Sequence, residues 1–279
     1  MCCTKPDRTP SLSILMGVYN IANLPTFPLA IDSILKQTYS DFEFILCDDG
    51  SEDQTWECLC RLATRDSRVR LLRNPCNLGL AATLNHCIME ARAPVLGRHD
   101  ADDYSAPDRF ARQMEFLRCH TDIAFVGSDV ALFDQRGVYG LRCFPQYPQP
   151  SDFLFTMPFV HGALFFRKEC LLHAGLYRIS KETRRTEDYD LLMRMYALGF
   201  RGANINQPLY FFLEDQAAGK RRKYRYRIDE VKVRWKGFSD LDLLPQAFPY
   251  VVKPLLVGLL PARLLAKIKW HYRERKNQN

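Results

Sequence analysis

The chain has 279 residues, 47% of them hydrophobic and 25% charged, an ordinary globular composition with enough length to bury a sizeable core. Its formal net charge of +7 is unevenly placed: acidic residues gather at Asp48, Asp49 and residues 100–103, and basic ones at residues 220–223 and 263–276. A basic tail on an acidic centre argues against a general nucleic-acid-binding protein, and the absence of repeats or low-complexity tracts argues against an array or a disordered chain.

Residues 11–18 are apolar and run into Tyr19 and Asn20, which predicts a buried strand ending in a loop. Residues 28–37 carry Leu29, Ile31, Ile34 and Leu35 at helical spacing. A second strand is expected over 42–47, with Asp48-Asp49-Gly50-Ser51 as the turn after it, and a second helix over 53–65. Residues 69–72 read as a short third strand. Asn77 and Gly79 lie in the loop before a third helix over 80–91. Residues 95–98 form a fourth strand that feeds into His99, Asp100, Ala101, Asp102 and Asp103.

This β-α-β-α-β-α-β order predicts a parallel sheet with helices on both faces, in which ligands bind beyond the carboxyl ends of the strands. Those ends carry Tyr19-Asn20, Asp48-Asp49, Arg73-Asn74 and residues 100–103, so four consecutive strands point to one site. Further on, a helix is expected over 108–119, a strand over 123–133 and a turn at Gly137 and Gly140. An apolar run follows at 159–166, then a helix over 188–198 opened by acidic residues, and a closing strand over 208–213.

Three carboxylates crowded at one strand end, Asp100, Asp102 and Asp103, repel one another unless a cation relieves them. Hard oxygen ligands suit Mg²⁺ or Mn²⁺. The competing reading is a turn with helix-capping aspartates. Asn85 fits either a ligand's surroundings or an ordinary buried polar residue. Arg98 fits either neutralisation of the acidic cluster or a structural ion pair. His161, followed by Gly162, fits either a wall of the ligand site or a core histidine.

The set resembles the inverting family 2 glycosyltransferases of the GT-A fold, of the bacterial cell-surface polysaccharide type. The matching pieces are Ser-Ile-Leu-Met-Gly-Val-Tyr-Asn at 13–20, Cys-Asp-Asp-Gly-Ser at 47–51 and Asn77-Leu78-Gly79-Leu80 with Asn85. Asp-Ala-Asp-Asp at 100–103, His161-Gly162-Ala163 and Glu187-Asp188 complete it. Each piece alone is weak, but the pieces stand in the family's order and at its separations. The resemblance implies a mixed sheet flanked by helices, with a C-terminal helical extension.

It also implies a nucleotide-diphosphate sugar donor, with a UDP-sugar as the prior. Tyr19, Asn20, Asp48, Asp49, Asn77, Gly79, Asn85, Arg98, Asp100 and His161 would line that donor site. Asp100 and Asp102 would form the metal motif with Asp103 in support. Asp188 would be the general base, and Glu187 would support it or contact the acceptor. The acceptor implied is a glycan or lipid-linked glycan.

The catalytic domain is placed at 1–215 and a basic, partly amphipathic extension at 216–279. Residues 243–262 hold four prolines, which disfavour a membrane-spanning helix. Leu256, Leu260, Leu264, Ile268 and Tyr272 recur among basic residues, which suits either an in-plane membrane segment or a helix packed on the domain. Val231-Lys232-Val233-Arg234-Trp235 keeps the Arg-Trp of the Gln-x-x-Arg-Trp motif of processive members but lacks its Gln, so a single added sugar is expected.

The ten cysteines show no Cys-x-x-Cys pair or zinc-like spacing, and residues 1–10 have no hydrophobic signal core. The location expected is cytoplasmic, with peripheral contact on the inner face of the cell membrane through the basic tail. Two other readings stand beside the transferase: a catalytically inactive sugar-nucleotide-binding scaffold, and a sugar-nucleotide pyrophosphorylase. The second normally opens with a Gly-rich loop, where this chain has Val18-Tyr19-Asn20-Ile21.

Overall fold

A computed structural model of the protein describes residues 9–214 and 224–259. Its first half follows the predicted order: β1 (Leu12–Val18), α1 (Phe27–Leu35), β2 (Phe42–Asp48), α2 (Thr55–Ala63), β3 (Val69–Arg73), α3 (Leu80–Glu90) and β4 (Val95–Arg98). The four strands are parallel, in the spatial order β3-β2-β1-β4. Their side chains alternate between two hydrophobic clusters, as the two-residue period of a strand requires. Ile14, Met16, Phe44 and Leu46 meet Ile31 and Ile34 of α1 and Leu59 of α2. Leu15, Ile45, Cys47 and Leu96 face the opposite way, onto Leu84, Cys87 and Ile88 of α3. Burial on both faces explains why β1 and β2 read as unbroken apolar runs.

The second half turns the sheet mixed. It comprises β5 (Tyr104–Ser105), α4 (Arg109–Cys119), β6 (Ile123–Asp134), β7 (Gly137–Arg142), β8 (Phe165–Arg167), α5 (Lys168–His173), α6 (Glu187–Ala197) and β9 (Arg201–Leu213). β8 lies antiparallel between β4 and β6, β9 runs parallel to β6, and β5 pairs antiparallel with β9. This is the mixed sheet flanked by helices that the resemblance implied, with the parallel part confined to the predicted β1 to β4 and to β6 with β9.

Two local expectations are corrected. Gly137 and Gly140 lie in β7, paired with β6, not in a turn. The turn precedes them, where the Arg136 N–H donates to Asp134 Oδ1 at 2.8 Å and Gly137 takes φ +113°. The closing strand begins at Arg201, seven residues before the expected start. Its first part looks like a loop because Asn204, Asn206 and Gln207 interrupt it, yet Asn204 is fully buried. Asn204 Nδ2 donates to the carbonyls of Pro145 and Pro158 at 3.0 and 3.1 Å. The ladder with β6 slips on either side of Asp129, which faces Pro208, a residue with no N–H to give.

After residue 224, α7 (Arg225–Asp240) and α8 (Phe248–Leu259) follow. Val233, Phe238, Ala247 and Val251 join the same cluster as Leu191, Met193 and Met195 of α6. The described part of the extension therefore packs on the layer that carries α6. Among the described residues, no helix is long and apolar enough to cross a membrane. The basic residues 220–223 and 263–276, with Leu264, Ile268 and Tyr272, lie outside the described residues.

Candidate active site

The parallel register puts the carboxyl ends of β1 to β4 along one edge, and the loops there interlock. Asn20 adopts φ +52°; its N–H donates to Ser51 Oγ at 2.9 Å and its Oδ1 accepts from Glu52 N–H at 3.0 Å. The loop after β1 is thereby pinned to the Asp-Gly-Ser turn, with Tyr19 at the surface beside it. Gly50 takes φ +68°, and a Cβ there would collide with the backbone of Cys76. This close approach joins the loops after β2 and β3 around a cavity of about 620 Å³, lined by Gly50, Ser51, Arg73, Asn74 and Asn77 among others.

The two aspartates of the turn differ in role. Asp49 accepts from Asn74 Nδ2 at 2.8 Å, from Leu78 N–H at 2.9 Å and from Gly79 N–H at 2.9 Å. Its carboxylate is thus committed to shaping the loop that Gly79, at φ +88°, turns into α3. Asp48 accepts from Ser51 N–H at 3.0 Å and pairs with Arg73 at 3.1 Å. Arg73 is half exposed at the cavity and lies 5.0 Å from the Trp56 ring, so Asp48 reaches the cavity through it.

Beyond β4 stands the acidic loop. Arg98 is 3% exposed, and its Nη2 donates to Asp100 Oδ1 at 2.6 Å. Burial opposes its charge, but Asp100, Tyr177 and Tyr210 outweigh it and raise its pKa. Asp100 and Asp102 are partly exposed, whereas Asp103 is 2% exposed and accepts from Leu213 N–H of β9 at 2.7 Å. Burial, then Asp100 and Asp102, push the Asp103 carboxyl well above the usual range. Asp103 thus anchors the acidic loop on β9 through one carboxylate oxygen.

A fully buried arginine, Arg109, ties this loop to the turn at 161–163. It donates to the carbonyls of Arg98 (3.0 Å) and Gly162 (3.1 Å), and lies 4.7 Å from the Tyr210 ring. The Tyr210 hydroxyl in turn accepts from Asp100 N–H at 3.1 Å. Gly162 leaves room for both: a Cβ there would collide with the Tyr210 hydroxyl and sit 2.7 Å from Asp100 Oδ2. Gly162→Ala is expected to displace Asp100 and lower turnover by about 100-fold, the cost of a ~1 Å misplacement. Undiminished turnover in the purified, folded variant would contradict that arrangement.

The third wall is the N-terminus of α6, which opens with Glu187 and Asp188. The Tyr189 N–H donates to Asp188 Oδ1 at 2.8 Å. Burial first, then the charges of Glu187 and Asp100, push the Asp188 carboxyl up to about 7, and burial also raises Glu187. Asp190, two residues on, is a structural partner of Arg178 and Arg194 at 2.6 and 2.9 Å. His161 lies 2.6 Å from the Tyr177 hydroxyl, and burial with the nearby Arg98 lowers its pKa well below the ordinary value. Asn85 clamps the Tyr177 backbone: it donates to the Tyr177 carbonyl at 2.8 Å and accepts from its N–H at 3.0 Å.

The structure thus gathers Asn20, Asp48, Asp49, Asn77 and Gly79 at one end of the crevice. Arg98, Asp100, His161 and Asp188 form an electrostatically coupled group at the other. Arg109, Tyr177 and Tyr210, which touch these groups, were not singled out in the sequence, and Arg73 and Asn74 were given a strand end but no role. Nothing local marks Tyr177, Arg109 or Tyr210.

A sheet of this topology, with an acidic loop after the fourth strand and a carboxylate-led helix facing it, is the GT-A architecture of sugar transferases. The family model for glycosyl transferase family 2 matches residues 13–171, more than half of the chain. EpsE of Bacillus subtilis (strain 168), a protein with a glycosyltransferase name, is 37% identical over 270 residues and 96% of both chains. The Escherichia coli UDP-Gal:alpha-D-GlcNAc-diphosphoundecaprenol beta-1,3-galactosyltransferase is 28% identical over 263 residues, 91% of this chain and 94% of that one. Among solved structures, S. aureus TarS 1-349 in complex with UDP-GlcNAc superposes with a TM-score of 0.69 at 16% identity, over 89% of this chain and 72% of that one. The chain belongs to glycosyl transferase family 2, and it is a glycosyltransferase.

Proposed function

We propose that this enzyme transfers one sugar, with inversion, from a UDP-sugar to a hydroxyl of a glycan or lipid-linked glycan acceptor in cell-surface polysaccharide synthesis, with Mg²⁺ or Mn²⁺ as cofactor. The observation that carries this reading is the Asp188 carboxylate at the N-terminus of α6, held by the Tyr189 N–H at 2.8 Å and near enough to Glu187 and Asp100 for their charges to raise its pKa. A base with a pKa of about 7 is roughly half ionised at neutral pH and basic enough to take a proton from a hydroxyl. The names of the relatives support the donor and acceptor classes: the E. coli protein is named for UDP-galactose and a lipid-diphosphate acceptor.

The nucleoside would occupy the cavity between the loops after β2 and β3, against Arg73, Asn77 and the Gly50-Ser51 backbone. The diphosphate would lie toward Asp100 and Asp102. Among the described residues, no group of three or more His, Cys, Asp or Glu is placed to hold a metal ion. Two partly exposed aspartates still fit one, because Mg²⁺ is commonly held by one or two carboxylates with substrate phosphates completing its shell. When bound, the cation supplies charge stabilisation to the departing nucleoside diphosphate. Arg98 holds Asp100 in place, and Asp188 accepts the acceptor's proton. The acceptor oxygen bonds to the anomeric carbon on one face while the bond to phosphate oxygen breaks on the other.

Residues 1–215 would hold both substrate sites and 216–279 the extension. Exposed Trp235, Phe248, Leu256 and Leu259 on α7 and α8, beside a chain rich in Lys and Arg, support peripheral contact with the inner face of the cell membrane. The presence of both Asp102 and Asp188 favours a transferase over an inactive scaffold. NMR of the product formed from a single UDP-sugar is expected to show one added residue of inverted anomeric configuration. Retained configuration or longer oligomers would overturn this reading.

A further inference from the structure

The Val231 to Trp235 segment lies in α7, and its two motif residues face different surroundings. Trp235 is 52% exposed and meets the Phe248 ring at 6.4 Å, whereas Arg234 is 5% exposed. Arg234 is bound on several sides at once. Its Nε donates to Glu230 Oε1 at 3.1 Å, and its Nη1 donates to the carbonyls of Leu154 at 3.0 Å and Tyr250 at 3.4 Å. The guanidinium carbon lies 5.1 Å from the ring centre of Tyr189.

Tyr189 is the residue after Asp188, and its backbone N–H holds the Asp188 carboxylate at 2.8 Å. Its ring stacks with Phe153 at 6.1 Å, and its hydroxyl donates to the Phe153 carbonyl. The chain running on from Phe153 and Leu154 reaches Val160 and His161 at the other wall of the crevice. One buried guanidinium therefore bears on α6, on α8 and on the segment leading to His161. A planar fork can satisfy Glu230 and two carbonyls while resting on an aromatic ring; a lysine ammonium can serve only part of that set.

We propose that Arg234 is a positioning residue for sugar transfer. It locks the first turn of α6 to the 153–155 segment, and so fixes where the Asp188 carboxylate stands against the His161 wall, without touching substrate. The proposal rests on the assignment of Asp188 as base. It gives the Arg-Trp pair a place behind the base-bearing helix and leaves Trp235 outside the crevice.

The test compares Arg234→Met and Arg234→Lys with Val233→Ala, a buried change in the same helix, all in the full-length chain. Turnover is read as UDP release into water from UDP-glucose, UDP-galactose or UDP-N-acetylglucosamine. The Asp188 carboxyl is read separately, by the pH dependence of its carbodiimide labelling in peptide mass spectrometry. Arg234→Met is expected to lower kcat by about 100-fold, to move the Asp188 labelling midpoint, and to leave UDP affinity with Mn²⁺ within about threefold. Arg234→Lys is expected to recover part of kcat, and Val233→Ala to keep both kcat and midpoint at a similar loss of Tm.

An unmoved midpoint, with kcat per folded molecule equal to that of Val233→Ala, would reduce Arg234 to a structural bridge and overturn the proposal. Should Arg234→Met not fold, the Lys variant decides by the same two readouts. If Asp188→Asn itself keeps full turnover, the base assignment fails, which is a different result from an inert Arg234.

Discussion

Asp188→Asn is expected to lower sugar transfer by about 10³-fold or more, within the range that a positioned general base contributes, and to leave UDP binding with Mn²⁺ nearly intact. The asparagine keeps the size of the side chain and an oxygen able to accept the Tyr189 N–H bond, now 2.8 Å, but it cannot take up the acceptor's proton. In the native enzyme the rate should rise with pH through about 7, as burial and Glu187 hold the carboxyl protonated below that point.

The same shift has a consequence for stability. A carboxyl whose folded-state pKa lies above its unfolded value binds its proton more tightly in the folded protein, so its effect on stability turns unfavourable as pH rises from about 4 to about 7. Asp188→Asn removes that cost. Its Tm should therefore exceed that of the native enzyme at pH 8, and the difference should vanish toward pH 4. Full transfer activity in this variant, or lost UDP binding, would remove Asp188 from the role of base.

Asp102→Ala is expected to weaken Mn²⁺-dependent UDP binding by on the order of 10–100-fold, a loss typical of damage to a metal site. The loop itself should survive, because Asp103 keeps its bond to Leu213 N–H at 2.7 Å and Asp100 its bond from Arg98 at 2.6 Å. Asp103→Asn is the informative contrast. Its carboxyl is buried against β9, so that change should act on the loop and on stability before it acts on metal affinity. Calorimetric titration of UDP with and without Mn²⁺ separates the two; an Asp102→Ala protein with native Mn²⁺-dependent affinity would refute the metal assignment.

The first hundred residues were legible in the sequence because a parallel sheet buried on both faces forces continuous apolar strands, and each strand ends in polar residues. Ile14, Phe44 and Leu46 are buried to 0% for that reason, while Asp48 ends β2 and Asp100 stands two residues beyond β4. The second half was less legible. β9 hides behind Asn204, whose polar side chain is satisfied by distant carbonyls that no local pattern announces. Asp103 was read with its neighbours because spacing along a loop does not say which carboxylate turns inward.

Arg109 and Tyr210 escaped notice for the same reason as Tyr177. Their importance lies in contacts across 53 and 110 residues of chain, made only once the sheet has formed. Asn85 shows the same limit: its two hydrogen bonds to the Tyr177 backbone span 92 residues of chain and no local pattern announces them.

The central claim, that the acidic loop and the cavity beside it bind a nucleoside diphosphate through a divalent cation, is tested most directly by thermal unfolding. The enzyme is melted with UDP, GDP, dTDP or CDP, each with and without Mn²⁺. A ligand at a hundred times its Kd adds about 2.7 kcal/mol to the folded state, which moves Tm by several degrees. The account predicts that UDP produces this shift and that the shift disappears when Mn²⁺ is withheld. No shift with any nucleotide, or an equal UDP shift with and without the metal, would contradict it.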